Sequence, residues 1–394
     1  MGYAAARGGT EAILAAEALL RRERDGGSTA ALAADQVVER LRLAVDRVMG
    51  EAGLWAPDLA AHALAQAQGD FIEAAHLLRA YCSTRPRLAR CSTVDADELV
   101  VLRRIVPAYR TPPGPQLLGS TSDYTARLLE HVGASSVAPP VGPPEALPAP
   151  AELTPRDRRP RRMLDLLRDQ GLAPDRRLDD DPEPYDIVRQ PVRPGVPRSA
   201  RLSVMARAET GALVNLWYRN VLGPDGYIHE ITLGEVRHGR LPVRVAHGIT
   251  SEPVDIGTVR VTEVEAIEDL DGTDERRDLF DVGYGLCLGH NERKAIAMAN
   301  LDIAVERDQG RSPLEQSVLM TTDGLEASGF LEHLKLPHYV TFRSMVERKL
   351  AVRDAAADRR RPAPEPSGLE NSGPDHGGAD SESDALVVGV ASSS

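Results

Sequence analysis

From Gly133 to about Pro160 the chain is written in proline, alanine, valine and glycine with little hydrophobic periodicity, and proline and aspartate dominate again up to about Pro197. A stretch of this kind presents no continuous apolar face, so residues 134–198 read as a Pro-rich linker. One short helix interrupts it, Met163 to Gln170, ended by Gly171. Helical periodicity comes before the linker and strand-like alternation after it. Helices and strands are therefore segregated along the chain, which is the pattern of an α+β fold. The expected architecture is a helical N-terminal half (1–133), an antiparallel β-meander (199–270), a C-terminal helical element (271–353) and a disordered tail (354–394).

The individual signals support that division. Thr10 can cap a helix from Glu11 to about Arg24, with Ile13, Leu14, Ala18 and Leu20 at helical spacing. Asp35 can cap a second, in which Val38, Leu41, Val45 and Val48 line one stripe. A third starts at Pro57, a fourth follows Asp70, and Asp123 can cap a short helix to His131. Beyond the linker, Ala212 to Arg219 alternates into an apolar run and reads as a strand, as does Tyr227 to Val236. Arg237-His238-Gly239-Arg240 reads as a turn into Leu241 to Val245, and Thr258 to Glu265 has the period of two of a half-buried strand. Val282 to Leu288 is a short glycine-containing strand or loop, and Asn291 caps a helix from Glu292 to about Arg307. A last ordered element spans Leu325 to about Val352.

Composition excludes several classes. The chain has 394 residues and a net charge of −12, which argues against a nucleic-acid binder. Aromatic residues make up 4%, so alanine, leucine and valine must build the core. No run of apolar residues is long enough to cross a membrane and no targeting segment is visible, which makes a cytoplasmic protein the expectation. Cys82, Cys91 and Cys287 form no CxxC pair and read as reduced thiols; one chain with this spacing cannot hold an iron–sulfur cluster alone. Only Lys294, Lys335 and Lys349 are lysine in an arginine-rich chain, a hint that a compact ammonium is required at one of them.

Two segments carry chemistry. His333 and His338 are five residues apart, too far round one continuous helix to share an ion, but Pro337 ends that helix and can fold His338 back. The two imidazoles would make an incomplete zinc site that needs a third ligand from elsewhere or from a partner; alternatively, one is a core histidine and the other lies on the surface. The second segment runs from Gly283 to Lys294, where a glycine-rich strand end enters a helix. Gly285, Arg293 and Lys294 are candidates for holding a phosphate at that helix start, and a plain turn capped by Asn291 is the competing reading. Arg7-Gly8-Gly9-Thr10 is a similar, weaker loop. Asp46, Asp70, Asp123 and Glu326 are the carboxylates worth following.

Several blocks resemble one family. They are Arg7 to Ile13, LAVDRVMGEAGL (Leu43 to Leu54), QAQGDFIEAAHLLRAY (Gln66 to Tyr81), QLLGSTSDYTARLL (Gln116 to Leu129), GYGLCLGHNERKAIAMA (Gly283 to Ala299) and EASGFLEHLKLPHYVTF (Glu326 to Phe342). Together they resemble the PhnI subunits of the bacterial carbon–phosphorus lyase core complex. This chain departs by having Val282 where family members usually carry arginine, and by a weak match between Tyr218 and Gly234. The resemblance implies a subunit that transfers methylphosphonate to C1′ of the ribose of Mg-ATP with loss of adenine, and that acts as a purine nucleotide nucleosidase when alone. It implies Zn²⁺ on His333 and His338, shared with a partner subunit. It also implies the other core subunits as partners, including the radical iron–sulfur subunit, an ABC-type ATPase subunit and a homodimer within the complex. A non-catalytic, zinc-sharing scaffold is the alternative, and an unrelated phosphate-binding α+β enzyme a third.

Overall fold

The computed structural model describes residues 9–27, 30–107, 111–125, 127, 159–175, 183–222, 233–246, 252–269, 278–307, 312–335 and 339–360. They fall into two units, one within Ala6–Leu336 and a second within Pro337–Ser394. In the second unit the described residues form one helix, α12 (Tyr339–Arg360), which carries Met345, Val346 and Leu350 exposed. The helix therefore continues past Asp354, and the rest of the expected tail lies outside the described residues.

The larger unit begins with α1 (Gly9–Asp25), on which no described residue is buried. Helices α2 (Ala34–Arg40), α3 (Arg42–Ala52), α4 (Pro57–Gln66) and α5 (Phe71–Ser83) follow and share one core. The stripe from Val38 to Val48 predicts a single helix. It is broken at Leu41, whose φ of −115° and ψ of 35° end α2 and start α3. The break lets Val37 from one half and Val45, Val48 and Met49 from the other point into the same core. Alanines at 60, 61, 63, 74 and 75 let α4 and α5 pack closely there. Asp70 caps α5, accepting from the backbone N–H groups of Ile72 and Glu73 at 2.9 and 3.1 Å.

After a 3-10 turn (Ala96–Glu98) comes β1 (Val100–Ile105), inside the stretch expected to be wholly helical. Its β-branched start and its pairing with a strand more than 100 residues away outweigh the helical neighbourhood. Helix α6 (Met163–Asp169) is the predicted linker helix, with Gly171 behind it at φ 71°. Helices α7 (Arg198–Arg207) and α8 (Thr210–Val221) come next. The segment read as a strand from Ala212 to Arg219 is thus a helix. The Glu209 carboxylate starts it by accepting from Gly211 and Ala212 N–H at 2.8 and 2.5 Å, and Leu213, Val214, Leu216 and Trp217 turn onto the core.

Strands β2 (Leu233–Val245), β3 (Val254–Glu268) and β4 (Asp281–Leu288) complete a four-stranded sheet in the order β1-β2-β3-β4, every pair antiparallel. This is the expected meander. The predicted turn at Arg237–Arg240 is instead the middle of β2. Arg240 is exposed, but Arg237 and His238 are buried: Arg237 pairs with Glu263, and His238 meets Thr262. Gly239 is needed because a Cβ there would lie 2.3 Å from the Val100 carbonyl oxygen. The sheet then meets α9 (Glu292–Arg307), whose bounds match those predicted, followed by α10 (Pro313–Thr321) and α11 (Gly324–Lys335).

Cross-strand partners share a face, so the register sorts the sheet into two surfaces. One carries Val236, Val264 and Gly285 in one row and Gly234, Ala266 and Gly283 in the next. Helix α9 lies directly on it: a Cβ on Gly283 or Gly285 would come within 2.0 or 2.2 Å of a helix carbonyl oxygen, that of Ala299 or Ala295. The opposite face carries Arg104, Arg237 and Glu263 in one row and Glu235, Glu265 and Tyr284 in the next. Helix α6 covers one end of this charged face, packing Met163, Leu164 and Leu167 with Ile267 and Val282.

Candidate functional site: a carboxylate pocket on the charged face

The buried charges of the second face are paired across the strands. Arg104 is fully buried and donates through Nε to Glu235 at 2.6 Å; the second oxygen of Glu235 accepts the N–H of Met163 at 2.8 Å and so starts α6. Arg237 pairs with Glu263. Arg162, just ahead of α6, donates to Glu263 at 3.0 Å and Glu265 at 2.8 Å and also reaches Asp97 beside β1. Burial works against the charge of Arg162, yet the carboxylates of Glu263, Glu265 and Asp97 hold its guanidinium protonated far above the usual range. The Tyr284 hydroxyl donates to Glu263 at 2.9 Å, and its burial together with that carboxylate pushes its pKa well up.

Beside this network a pocket of roughly 430 Å³ opens between the 3-10 turn, α6 and the β3–β4 edge. It is bordered by Asp95, Asp97, Asp165, Glu263 and Glu265, by Arg162, Arg168 and Arg198, and by Tyr284. Its two glutamates are unequal. Glu263 accepts from Arg162, Arg237 and Tyr284. Glu265 has only Arg162 on one oxygen, and its Oε2 is buried without a partner. Burial pushes the Glu265 carboxyl up to about 7, with Arg162 opposing and Glu263 reinforcing the shift. A buried carboxyl that keeps its proton towards neutrality is the usual equipment of a general acid.

A second cluster sits where β4 turns into α9. His290 stacks on His238 with ring centroids 4.3 Å apart, and Arg42 approaches its Nδ1 at 3.3 Å. Asp46, with no exposed surface, accepts from Arg260 at 2.9 Å and from the N–H of His290 at 3.1 Å. Arg103 joins Glu292 at 2.5 Å to Asp123 at 2.6 Å. Burial drives the His238 imidazole down to about 3, helped by His290 and Arg260, so it is neutral. Burial opposes charge on Glu292 as well, but His290 and Arg103 hold its carboxyl down at about 2. Asn291 spans the turn, donating to the Asp46 and Leu288 carbonyl oxygens at 2.9 and 2.7 Å. Gly289, at φ 76°, lets Asp46 approach: a Cβ would meet it at 2.7 Å.

The predicted phosphate residues do not share one surface. Gly285 is under α9, Arg293 is exposed, and Lys294 is completely buried with Nζ unpartnered. Burial lowers the Lys294 pKa to about 8, against the pull of Cys287 and Glu51. Of the carboxylates singled out, Asp46 and Asp123 join the His290 cluster, Asp70 is a helix cap, and Glu326 is exposed on α11. His333 belongs to α11, but its side chain and all of His338 lie outside the described residues. Among the described residues no group of three or more metal-ligating side chains comes together. Nor is any described helix long and apolar enough to cross a membrane.

The sequence reading missed Glu263, Glu265, Tyr284 and Arg162. Alternating Val with Thr, Arg and Glu in β3 suggested a half-buried strand, whereas from Val261 to Glu268 the residues of both faces are buried. The one available signal was Arg162, the last of a run of arginines that leads into helix α6.

An α+β scaffold with two buried, unequally hydrogen-bonded glutamates in an arginine-bordered pocket is that of a protein equipped for acid–base work on a small polar ligand. Sequence comparison gives the family. The profile of the bacterial phosphonate metabolism protein (PhnI) matches residues 2–356, and the chain belongs to this family. HtxH of Stutzerimonas stutzeri, named as a C–P lyase subunit protein, is 41% identical over 90% of this chain and 97% of its own length. The alpha-D-ribose 1-methylphosphonate 5-triphosphate synthase subunits PhnI of Rhizobium meliloti and Escherichia coli are each 38% identical, over 90% and 88% of this chain and 96% of theirs.

Proposed function

We propose that the chain is the enzymatic subunit of a carbon–phosphorus lyase complex that forms alpha-D-ribose 1-methylphosphonate 5-triphosphate from Mg-ATP and methylphosphonate. The observation that carries this reading is the 38% identity, along nearly the whole length, to two relatives named for that product. The structure supports it through the pocket. An oxygen of the phosphonate forms the new bond to C1′, the bond from C1′ to the purine nitrogen breaks with its electrons on the base, and positive charge grows on the ribose meanwhile. Glu265, a buried carboxyl of raised proton affinity, beside Glu263, which Arg162 and Arg237 hold, suits that charge distribution. In the absence of the phosphonate, water at C1′ gives free base and ribose 5-triphosphate.

The same reading includes Zn²⁺ on His333 and His338, shared with a partner, and assembly with the other subunits of the complex. Zinc would act as a Lewis acid or a joint between subunits there. No step above passes through it.

Incubating the purified chain with ATP or GTP and following free purine by chromatography tests the activity; adding the co-expressed partners and methylphosphonate should yield a phosphonate ester visible by ³¹P NMR. Absence of free base and ester, with partners present, favours the scaffold. Release of inorganic phosphate instead points to a phosphohydrolase. Metal analysis of His333→Ala and His338→Ala should show zinc lost while the subunits still co-purify.

A further inference from the structure

The pocket on the charged face has a definite chemical preference. Its volume, roughly 430 Å³, lies in the range of small-molecule sites. Five carboxylates face three arginines around it. None of those arginines is free: Arg162 is held by Glu263 and Glu265, Arg168 by Asp165, and Arg198 by both oxygens of Asp302. A triphosphate would gain no uncommitted cation here and would be repelled by the surplus of acids. A group with N–H donors and a basic ring nitrogen would be favoured.

Among the described residues that line the pocket, two side-chain atoms are buried without a hydrogen-bond partner, the donor Arg168 Nε and the acceptor Glu265 Oε2, and only the second can carry a transferable proton to a ligand. Every neighbouring element presses on this carboxyl: Glu235 and Arg237 from β2, Glu263 from its own strand, Tyr284 from β4, and Arg162 from the entry to α6. Its second oxygen is the natural place for a proton, and that proton has no acceptor in the protein.

We propose that this pocket receives the purine base of the nucleotide and that Glu265 is the catalytic acid that protonates the base as its bond to C1′ breaks. This rests on the nucleotide reading above and deepens it. The electron pair of the C1′–N bond leaves on the base, the Glu265 O–H proton passes to a ring nitrogen, and the new C1′ bond forms to the phosphonate oxygen or to water. The carboxylate left behind is held by Arg162 and regains its proton from solvent when the base departs. Because burial holds the Glu265 carboxyl near 7, the acid is half available at neutrality.

The test compares the full chain and its Glu265→Gln variant on ATP and on 7-methyladenosine triphosphate, whose base is already cationic, carries no acidic ring N–H and needs no protonation. Release of adenine from ATP should fall on the order of 100-fold or more in the variant, the usual effect of removing a general acid. Release of 7-methyladenine should change by less than about tenfold, which also shows that the variant is folded. The wild-type rate on ATP should decline above about pH 7 and the rate on 7-methyladenosine triphosphate should not, a comparison that decides the matter even if Glu265→Gln does not fold. Equal losses on both substrates, or a wild-type profile alike for both, overturn the assignment while leaving the nucleotide reading intact. If the wild-type chain, with its partners, releases no purine at all, the nucleotide reading falls and this proposal with it.

Discussion

The two faces of the sheet solve the same burial problem in opposite ways. On the α9 face the chain removes side chains: Gly283 and Gly285 bring the helix backbone against the strand, and the remaining contacts are Val236, Val264, Ala266 and Cys287. On the other face it buries charges and satisfies them in pairs, from Arg104–Glu235 through Arg237–Glu263 to Arg162–Glu265. The first arrangement tolerates no added atom. The second tolerates replacement of a whole pair but not of one partner, because a lone buried ion costs more than a pair contributes. The charged face also keeps open space beside unequally paired groups, and the apolar face does not. A fold gains a rigid wall from one surface and a reactive one from the other.

The sharpest way to break this contrast is to strand a charge. Glu235→Leu leaves the fully buried Arg104 without its carboxylate and α6 without the acceptor of its first N–H, and should cost about 3–5 kcal/mol in denaturant unfolding. Arg104→Met combined with Glu235→Leu should recover most of the loss. Equal damage from the single and the double variant would show that the pair is not the unit of stability.

Next in size is an added methyl on the other face. Gly285→Ala places a Cβ 2.2 Å from the Ala295 carbonyl oxygen, so α9 must shift as a body. A loss of about 1–3 kcal/mol is expected, the usual cost of overpacking, read from the midpoint of thermal unfolding. A neutral result would mean that the helix floats on the sheet.

How much of this was legible in the sequence follows the same contrast. The helix after Asn291 was placed to the residue because its signals are local: a cap, a run of alanines and an apolar face. The meander was recovered as a class, yet Arg237–Arg240 was mistaken for a turn, since four polar or small residues in a row look solvated when the carboxylate that buries Arg237 lies 26 positions on. Strand β1 was hidden for the same reason; its partner is non-local. Ala212–Arg219 was taken for a strand because its cap, Glu209, is not among the short side chains that usually mark a helix start. Of the site, Lys294 stood out as a rare lysine and does occupy an unusual place, but the sequence could not show that it would be sealed in. The glutamates of β3 carried no mark at all, because the proton affinity of Glu265 is set by its burial and by Arg162 and Arg237 from two other elements.

Lys294 sharpens the contrast from the apolar side, where it is the exception. Lys294→Met should stabilise the chain by on the order of 2 kcal/mol at pH 7, since it replaces an unpartnered buried ammonium by a chain of similar shape. The sign is checked by titration. A folded-state pKa near 8 against the ordinary lysine value of 10.5 means that the unfolded chain binds more protons between these values, so wild-type stability should rise with pH across that window through this group. In Lys294→Met that rise should vanish.

The smallest expected effect discriminates the faces most directly, because they respond to acid in opposite senses. Glu265 has a folded-state pKa raised to about 7 from 4.5, so its contribution is fully present below about 4.5 and is lost as the pH climbs through 7. His238, on the α9 side, has its pKa lowered to about 3 from 6.5, so its neutral form favours the folded state above 6.5 and the advantage is lost as the pH falls towards 3. Between about 4.5 and 6.5 the two slopes oppose each other and the wild type should be nearly flat. Glu265→Gln should expose the histidine, with stability that rises with pH over that interval; His238→Asn should expose the glutamate, with stability that falls. Each slope is bounded by one proton, about 1.4 kcal/mol per pH unit, and is measurable as the shift of the urea midpoint between pH 5 and 6. Two variants whose midpoints moved in the same direction over this interval would show that the faces are not electrostatically independent, and that the sheet transmits charge from one side to the other.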